Sequence, residues 1–561
     1  MDPQRQRIRD DLRGVVLGDV LCDDIATTLY ASDGSLFQVR PLAVVRPRST
    51  DDVAAVMRYA DDQNLPIHAR GAGTGLAGES LGQGVMIDFS RYMRRVLETR
   101  DDAVRVQPGV VHARLNEQLR PLNRLFGPDP AMSQVTTMGS VIAIDNSGSH
   151  WPLYGSARSQ TLSLEIVLAD GTVMEVGRER LRRPSLDEDP HAAQRAVLAG
   201  DVAELCSEHR DLILAKKPRT LVNRSGYDLA TTYDGETLDL AKLICGSEGT
   251  LGLITAATVA IQPLPKFKVA AILMFASLEH AVQAVPLLMA YGPCALDMLD
   301  RRHLSLAVEH DPRFEPIVSR DTEALLLIEF SGDNLRAEQD KVRAAVDDVT
   351  KLHRLAFDAR IASDMDELRL FWRLARRVTP TLQRAGGAAR PVPFVEDVAI
   401  PPETLGDFLG RLQRVLKSHQ VTASFYGHVG HGQLHIRPFL DMNSPADTAK
   451  LDALAGDLYD ETLAVGGTIS GEHGDGLSRT PFVRRQYGEL CDVFAQVKRL
   501  FDPKGLLNPG KILAERADER VSLTAFLRPG GATVVPSPAR GRERERRSDR
   551  GRGERPAAAR R

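Results

Sequence analysis

A run of glycines between two short apolar segments restricts the fold of this chain more than any other feature. Six glycines lie between residues 71 and 84, after Ile67–Arg70 and before Val85–Phe89. The order G-x-G-x-x-G at residues 73–78 matches the dinucleotide-binding pattern. Two later glycines would however fall in the first turns of the Rossmann helix, where each costs about 1 kcal/mol. A glycine run between two strands instead favours a loop whose backbone amides face a phosphate, with a simple tight turn as the alternative.

Composition predicts a globular protein of several domains. The chain has 561 residues, of which 43% are hydrophobic and 26% charged, as in an ordinary protein with a sizeable core. Its net charge is −3 and 5% of its residues are aromatic, so we expect no nucleic-acid partner and at most peripheral membrane contact. No apolar stretch approaches the roughly 18 residues of a membrane-spanning helix. The first 14 residues are charged, unlike a secretory signal, and we expect a cytoplasmic protein.

The chain divides into four expected parts: residues 1–39, 40–265, 266–513 and 514–561. The second part opens with a strand–helix–strand unit in which Thr50 is expected to cap the helix. A proline-rich break separates it from a second region of helices and apolar, strand-like runs. The first part is expected to be a helical extension. The last part holds ten arginines and four acidic residues after position 539 and cannot bury an apolar face, so it is expected to be disordered.

Six short polar or glycine-rich stretches follow one another along the first half of the chain. They are residues 70–75, 127–130, 137–140, 146–148, 223–227 and 246–252. In this order they resemble the pyrophosphate loop and later flavin-contacting stretches of the flavoproteins related to vanillyl-alcohol oxidase and p-cresol methylhydroxylase. The resemblance implies an α+β fold with a two-subdomain FAD-binding domain of the p-cresol methylhydroxylase (PCMH) type over residues 40–265, and FAD between the subdomains.

The same resemblance implies which residues contact the flavin. They are Arg70, Gly71, Ala72, Gly73, Thr74, Gly75, Pro128, Asp129, Thr137, Met138, Gly139, Ser140, Asn146, Gly148, Glu248, Gly249, Gly252 and Ile254. Covalent members of the family attach the flavin through a histidine that follows the loop glycines. Because Thr74 and Gly75 occupy that region here, we expect FAD to be bound non-covalently.

Two glycine-bounded segments late in the chain concentrate histidines. Residues 426–435 hold three of them, and the intervening glycines indicate a hairpin in which His428 and His435 face each other while His431 points elsewhere. The second segment supplies Glu472 and His473. A surface or hydrogen-bonded role is favoured for any one of these histidines alone. Two imidazoles and one carboxylate together favour a catalytic metal site, because they leave coordination positions open for a substrate.

This region resembles the C-terminal domain of FAD-linked 2-hydroxyacid dehydrogenases, which include D-lactate, D-2-hydroxyglutarate and glycolate dehydrogenases. The resemblance implies an α+β substrate domain with an antiparallel sheet over residues 266–513. It places the ligands of a divalent metal, zinc or manganese, on His428, His435 and Glu472, and the catalytic base on His473. It also brings Asn508 to the flavin edge. The implied reaction oxidises a D-lactate-like 2-hydroxy acid to the 2-oxo acid by metal-assisted deprotonation and hydride transfer to flavin N5.

The substrate-binding residues depart from the family pattern. Members that act on D-2-hydroxyglutarate carry an arginine, a threonine and a lysine before the histidine hairpin. Here the threonine is Thr379, the arginine position falls on Ala375, and the lysine position falls near Val395. We expect Arg377 or Arg390 to bind a substrate carboxylate together with Thr379, although a role on a helix surface is equally compatible. The missing lysine makes 2-hydroxyglutarate the less expected substrate.

The electron acceptor is expected to be a separate molecule. The segment before the hairpin resembles longer relatives that continue into a cysteine-rich iron–sulfur domain. The five cysteines of this chain form no CxxC pair and none follows Cys491, so we expect core thiols and no local cluster. A quinone, a cytochrome or an iron–sulfur or other electron-transfer protein would then take the electrons, and a homodimer is compatible with the sequence.

Two other functions fit the same scaffold. A redox-neutral transferase that resembles alkylglycerone-phosphate synthase also uses a histidine-rich site and would recycle its flavin within each turnover. A non-catalytic subunit of a larger oxidase is the remaining alternative. It is the least expected, because all the implied metal ligands and the base are present.

Overall fold

The first subdomain is a small sheet that carries the glycine-rich loop. The computed structural model describes residues 2–181, 190–514 and 522–528. In chain order the subdomain contains α1 (Pro3–Arg13), β1 (Asp19–Leu21), α2 (Asp24–Leu29), β2 (Ala43–Arg46), α3 (Thr50–Gln63), β3 (Ile67–Arg70) and β4 (Val85–Asp88). The strands lie in the order β1-β2-β4-β3, with β1 antiparallel to β2 and the others parallel. The glycine-rich loop joins the parallel neighbours β3 and β4.

The strand–helix–strand unit is present as predicted, but the expected cap of its helix was wrong. Ser49, not Thr50, caps α3 by accepting a hydrogen bond from the amide of Asp52. Residues 1–39 were expected to be a helical extension, but they also supply strand β1, in which Val20 pairs with Val45 and is buried. Because β1 adds an antiparallel edge to the sheet, the N-terminal part belongs to the first subdomain.

The second subdomain is an antiparallel sheet covered by helices. In chain order it contains β5 (Val96–Thr99), β6 (Ala103–Val106), α4 (His112–Leu119), β7 (Arg124–Leu125), α5 (Met138–Ala143), α6 (Trp151–Tyr154), α7 (Ala157–Gln160), β8 (Thr161–Val167), β9 (Val173–Arg180), α8 (Pro190–Glu208), α9 (Arg210–Lys216), β10 (Thr237–Asp239), α10 (Leu240–Ile244), β11 (Leu253–Ala260) and β12 (Gln262–Pro263). The order of its main sheet is β10-β9-β8-β11-β6-β5. β12 pairs with β7.

The substrate domain is built on a second antiparallel sheet. In chain order it contains β13 (Phe267–Phe275), α11 (Leu278–Met289), β14 (Ala295–Asp300), α12 (Arg301–His310), β15 (Ala324–Gly332), α13 (Leu335–Asp347), β16 (Asp358–Ile361), α14 (Met365–Arg376), α15 (Val378–Leu382), β17 (Arg390–Pro391), β18 (Asp397–Ala399), α16 (Leu405–Ser418), β19 (Ala423–Gly427), β20 (Gln433–Leu440), α17 (Pro445–Thr448), α18 (Leu451–Ala464), α19 (Gly476–Tyr487) and α20 (Leu490–Phe501). The strand order is β16-β13-β15-β14-β19-β20-β17, and β18 also pairs with β20.

Both faces of this sheet are buried, because its central strands alternate between two cores. In β15, Leu326 and Ile328 belong to a core that continues into the FAD-binding domain, whereas Leu325 and Leu327 belong to a separate core under α12 and α14. Period-two alternation of this kind is what a strand with both faces covered requires. The polar side chains inside these strands are therefore exceptions, and a buried carboxylate must be paired.

Part of the C-terminal region, which was expected to be disordered, packs on both domains. Leu523 is buried, and its amide donates to Asp452 on α18 (2.8 Å). The amide of Gln38 in turn donates to the carbonyl of Phe526 (2.7 Å). Residues 522–528 thus bridge the first subdomain and the substrate domain. The arginine-rich stretch after position 539 lies outside the described residues.

The structure bears on two expectations drawn from composition, one about the cysteines and one about membrane-spanning helices. The five cysteines are buried, which confirms the expected core thiols. Within the described ranges, every helix is too short or too polar to cross a membrane.

Candidate active site

The glycine-rich loop lies against the N-terminal end of α5, so two of the motifs expected to bind flavin are in contact. Gly73 (φ 67°) and Gly78 (φ 78°) adopt the left-handed backbone that favours glycine. A Cβ atom added at Gly71 would clash with Thr137 Oγ1 and Ser140 Oγ. The absence of a side chain at position 71 is therefore what permits this approach.

Several buried polar groups in the stretches expected to contact the flavin have no hydrogen-bond partner within the described part of the chain. They are Arg70 Nη1, Asn146 Oδ1, Ser147 Oγ and Ser247 Oγ. The other terminal nitrogen of Arg70 donates to the carbonyl of Ser32 (2.8 Å), which holds the guanidinium at the loop. Buried polar groups normally find partners. Unpaired polar atoms of a cation, two hydroxyls and an amide in these stretches fit a ligand that carries phosphates and many polar atoms, as FAD does.

Some residues expected to contact the flavin use their side chains within the protein. Asn508 Oδ1 accepts a hydrogen bond from His68 Nδ1 (2.8 Å), and its amide nitrogen donates to the carbonyls of Glu79 (2.9 Å) and Glu248 (2.7 Å). The buried carboxylate of Glu248 accepts from the backbone amides that begin α19. Burial raises the pKa of Glu248 to about 8, and the neighbouring Asp475 carboxylate adds to that rise. These two side chains join the flavin loops to the substrate domain.

Asp129 also has protein partners for its carboxylate. Its Oδ2 atom lies 2.7 Å from His150 Nδ1 and 2.6 Å from Arg376 Nη2. The carbonyl of its neighbour Pro128 lies 2.8 Å from His112 Nε2.

The remaining positions of the expected flavin set divide by burial. Met138 and Ile254 are core side chains, and Ala72 is exposed on the loop. Gly139 is tightly packed, because an added Cβ would meet Pro108, whereas Gly249 and Gly252 have more space around them. Thr74 Oγ1 lies 3.2 Å from Thr136 Oγ1, and Gly75 packs over the Glu79 side chain.

The histidine hairpin places three ligand-type side chains around one point. Strands β19 and β20 pair with Tyr426 opposite His435, and the turn between them returns at Gly432 (φ 78°). His428 Nε2 and His435 Nε2 lie 3.4 Å and 3.5 Å from the same oxygen of Glu472. The three ligand atoms lie within 4.8 Å of one another, with His435 and Glu472 buried and His428 partly buried. Two imidazoles and one carboxylate suit a divalent metal with open coordination positions.

The charges of this set also suit a cation. Burial raises the pKa of Glu472, but hydrogen bonds with His428 and His435 outweigh it and hold that pKa well below its usual range. The carboxylate is therefore ionised. On the far side of His428, Nδ1 lies 2.8 Å from Asp297 Oδ1. Because a carboxylate oxygen accepts hydrogen bonds, Nδ1 donates to Asp297 and Nε2 is the nitrogen that faces Glu472.

His473 is held beside this set by a second carboxylate. Its Nδ1 lies 2.6 Å from Glu396 Oε1, and its Nε2 lies 3.8 Å from Glu472 Oε1. Burial lowers the pKa of His473, but the Glu396 and Asp397 carboxylates outweigh it and raise that pKa to about 9. A divalent cation on Glu472 would lower it again, since it would neutralise part of the charge that favours the imidazolium.

Among the described residues, two other groups of potential metal ligands already contain a carboxylate paired with a cation of the protein. Glu396, His435 and His473 lie close together, but Arg437 Nη2 contacts the free oxygen of Glu396 at 2.5 Å. His150, Cys294 and Glu329 also converge, yet Lys268 Nζ lies 2.9 Å from the Glu329 carboxylate. A guanidinium or ammonium in contact with a carboxylate opposes metal binding there. The set around Glu472 is the one that suits a metal best.

Comparison with known proteins places this geometry in a family. Residues 41–177 match the family model described as an FAD binding domain, and residues 264–512 match the one described as the C-terminal domain of FAD linked oxidases. The chain belongs to the FAD-linked oxidases. The expected fold class is thereby confirmed: an α+β protein with a PCMH-type FAD-binding domain of two subdomains, followed by an α+β domain on an antiparallel sheet.

Two named relatives differ in how much of their length this FAD-linked oxidase covers. A D-2-hydroxyglutarate dehydrogenase of Pantoea ananatis is 34% identical over 504 residues, which are 86% of this chain and 49% of that protein. The chain thus spans about half the length of that relative. A glycolate oxidase subunit, GlcD, of Escherichia coli K12 is 29% identical over 519 residues, which are 91% of each chain.

Solved structures agree on the fold. p-Cresol methylhydroxylase superimposes with a TM-score of 0.65 at 16% identity, covering 91% of this chain and 97% of its own. An alkyldihydroxyacetonephosphate synthase superimposes with a TM-score of 0.62 at 17% identity, covering 91% and 86%. At these identities the likeness concerns the fold alone.

The substrate side of the FAD-linked oxidase differs from the sequence-based expectation. A small cavity is lined by Thr379, with the apolar side chains of Leu382 and Pro391 and the guanidinium of Arg437. Arg377 and Arg390 do not line it. Arg390 is exposed and donates to the carbonyl of Ala385, while Arg377 lies at the junction of α14 and α15. The guanidinium of Arg390 is thus held by its own loop, and substrate binding by Arg377 or Arg390 stays a prediction.

Four side chains that shape the site were missed by sequence reasoning. They are Asp297, Glu396, Asp397 and Arg437. Each of them had a signal in the sequence. Asp297 interrupts the apolar strand β14. Glu396 and Asp397 lie between apolar residues, the first just before β18 and the second within it, and Arg437 follows His435 by two residues on the same face of β20.

Proposed function

We propose that this FAD-linked oxidase is an FAD-dependent dehydrogenase that oxidises a small, D-lactate-like D-2-hydroxy acid to the 2-oxo acid. The observation that carries the proposal is the convergence of His428, His435 and Glu472 on one point beside His473. The amide of Gly148 in the FAD-binding domain donates to the same Glu472 carboxylate (2.9 Å). A metal-type site, a base and a flavin motif thus meet at one interface. The relatives named as dehydrogenases or oxidases favour this reading over a redox-neutral transferase.

The reaction removes a proton from the substrate hydroxyl and a hydride from the carbon that bears it. When bound, a zinc or manganese ion held by the three ligands supplies charge that makes the hydroxyl more acidic, and non-covalent FAD supplies the hydride acceptor. His473 Nε2 accepts the hydroxyl proton. Glu396 holds the opposite nitrogen, so the lone pair of the neutral imidazole points toward the ligand cluster. Arg437 keeps Glu396 in place through its own ion pair.

The residues that line the small cavity favour a substrate with a single carboxylate. Arg437 is the cation in its wall and Thr379 adds a hydroxyl, while Leu382 and Pro391 are apolar. A bidentate contact from a buried arginine is the usual way to hold a carboxylate. Arg437 is the one cation among the residues that line this cavity, so the wall offers a positive charge for one substrate carboxylate and none for a second. We therefore place D-2-hydroxyglutarate, the substrate named for several relatives, second to a D-lactate-like acid.

Electrons leave the reduced flavin for a separate acceptor. The five cysteines are buried singly, so the described residues offer no ligands for an iron–sulfur relay. A quinone, a cytochrome or an iron–sulfur protein is the class of partner we propose.

Anaerobic reduction of the flavin tests the activity directly. FAD-loaded protein is mixed with a panel of D- and L-2-hydroxy acids, one at a time, and the visible flavin band is recorded. Bleaching by a small D-2-hydroxy acid is expected, and it should depend on added Zn²⁺ or Mn²⁺ after treatment with a chelator. A protein that binds FAD but is bleached by no acid of the panel would contradict the proposal.

Replacing the base separates chemistry from binding. His473→Asn should leave FAD bound and lower the rate of flavin reduction by about 10²–10⁴-fold, the usual contribution of a positioned general base. His280→Asn, at an exposed histidine on α11, serves as the control and should reduce the flavin at the unchanged rate. If both variants reduce flavin equally fast, His473 is not the base.

A further inference from the structure

Three consecutive residues of the FAD-binding domain each contact a different buried side chain of the substrate domain. The contacts are Gly148 N to Glu472 Oε2 (2.9 Å), Ser149 Oγ to Asp297 Oδ2 (2.7 Å) and His150 Nε2 to Glu329 Oε1 (3.1 Å). Glu472 belongs to the metal-type cluster of His428, His435 and Glu472, and Asp297 contacts its member His428. The segment therefore reaches the cluster from the opposite domain.

Ser149 acts on the cluster through Asp297. The carboxylate of Asp297 is buried, with one oxygen bonded to Ser149 Oγ and the other 2.8 Å from His428 Nδ1. The serine hydroxyl also lies 3.2 Å from the same imidazole nitrogen. Removing the hydroxyl would leave a buried carboxylate oxygen without its donor and would free the carboxylate to turn. The direction of His428 Nε2 is thus fixed in part from the FAD-binding domain.

His150 holds the backbone of this segment in place. Its ring nitrogens lie 2.7 Å from Asp129 and 3.1 Å from Glu329. Burial lowers the pKa of His150, but the Asp129 carboxylate outweighs it and raises that pKa well above its usual value. Glu329 is held in turn by Lys268 Nζ (2.9 Å) and Trp372 Nε1 (2.5 Å). Ser149 is therefore attached to a fully paired network rather than to a free loop.

We propose that Ser149 is a positioning residue for the metal site, so that the ion is held by ligands of one domain that are oriented by the other. This inference rests on the metal site of the proposed function. It adds a residue that touches neither substrate nor metal and that sets the affinity for the ion through the Asp297–His428 pair.

The test measures metal affinity rather than turnover. FAD-loaded protein is stripped of metal, and its dissociation constant for Zn²⁺ is measured by competition with a chromophoric chelator. Ser149→Ala should bind Zn²⁺ at least 10-fold more weakly, the lower end of the usual effect of outer partners of metal ligands. The matched control is Ser424→Ala, because Ser424 is also buried and its Oγ donates to Asp300 on the same strand β14 (2.8 Å). Its Zn²⁺ affinity should stay within twofold of the unchanged protein.

A double-mutant cycle tests the route. Asp297→Asn should also weaken Zn²⁺ binding, and adding Ser149→Ala to it should cost little more, because both changes disturb the same pair. Independent, additive losses would overturn the claim that Ser149 acts through Asp297. Equal Zn²⁺ affinity of Ser149→Ala and Ser424→Ala, in a protein that binds one Zn²⁺ when unchanged, would overturn this inference alone. Absence of Zn²⁺ binding by the unchanged protein would overturn it together with the proposed metal chemistry. Flavin content and thermal unfolding temperature confirm that each variant is folded.

Discussion

Single buried carboxylates set the geometry of this site at the scale of one residue. Asp397 Oδ2 accepts hydrogen bonds from the backbone amides of Gly471, Glu472 and His473, at 3.0, 2.9 and 2.8 Å. Hydrogen bonds to an ionised carboxylate are stronger than those between neutral groups. Because one oxygen gathers three successive amides, the metal-type ligand and the base are fixed relative to each other by a residue that is neither.

A buried neutral histidine should make the fold sensitive to acid. His303 is fully buried with Nε2 3.0 Å from the carbonyl of Leu374, and burial lowers its pKa to about 4. Its unfolded value is about 6.5, so the unfolded chain binds more protons between these values and the protein loses stability as the pH falls through this range. The loss reaches about 3 kcal/mol near pH 4.

The glutamine variant isolates this contribution. His303→Gln does not titrate and keeps a side-chain amide that can donate to the same carbonyl. Urea unfolding at pH 6.5 and pH 4.5 should show a smaller loss of unfolding free energy for the variant than for the unchanged protein. Equal losses would mean that His303 is not held neutral in the folded state.

At the scale of elements, the contact between the glycine loop and α5 should decide FAD affinity. In Gly71→Ala the new Cβ would clash with Thr137 Oγ1 and Ser140 Oγ, so the loop must move away from α5. We expect FAD to dissociate at least about 10-fold more readily, a difference of about 1.4 kcal/mol, as measured by flavin fluorescence on dilution. Gly200→Ala is the control, because that glycine lies in α8 with open space around it. The control should retain FAD fully and gain up to about 1 kcal/mol in helix stability.

Local sequence patterns predicted the glycine loop and the histidine hairpin, but they could not predict which distant residues pair with the site residues. The loop between β3 and β4 and the hairpin of His428 and His435 follow from apolar runs interrupted by glycines, and both are present. Asp297 could be noticed as a charge in an apolar strand, but its partner Ser149 is 148 residues away in sequence. Glu396 and Arg437 likewise gain their roles only when β18 pairs with β20. Strand β1 was missed because three residues carry too little periodicity.

At the scale of the whole molecule, the two domains share one continuous core. Leu164 of the FAD-binding domain and Leu296 of the substrate domain belong to the same cluster of buried side chains. The flavin motif at residues 146–148 ends in the amide that donates to Glu472. If one of the two ligands, flavin or metal, orders this motif, the other pays a smaller entropy cost when it binds. This is a physical basis for coupled binding.

The last prediction is that FAD and metal bind cooperatively. FAD contacts at residues 146–148 should hold Gly148 in place for Glu472, so the FAD-loaded protein should bind Zn²⁺ about 5- to 10-fold more tightly than the FAD-free protein, a coupling of about 1 kcal/mol. Linkage requires the same factor in reverse, and Zn²⁺ should tighten FAD binding equally. Both dissociation constants can be measured with and without the other ligand. If the Zn²⁺ constant is the same in both forms, the Gly148–Glu472 contact does not connect the two sites, and the flavin and the metal-type cluster are held independently.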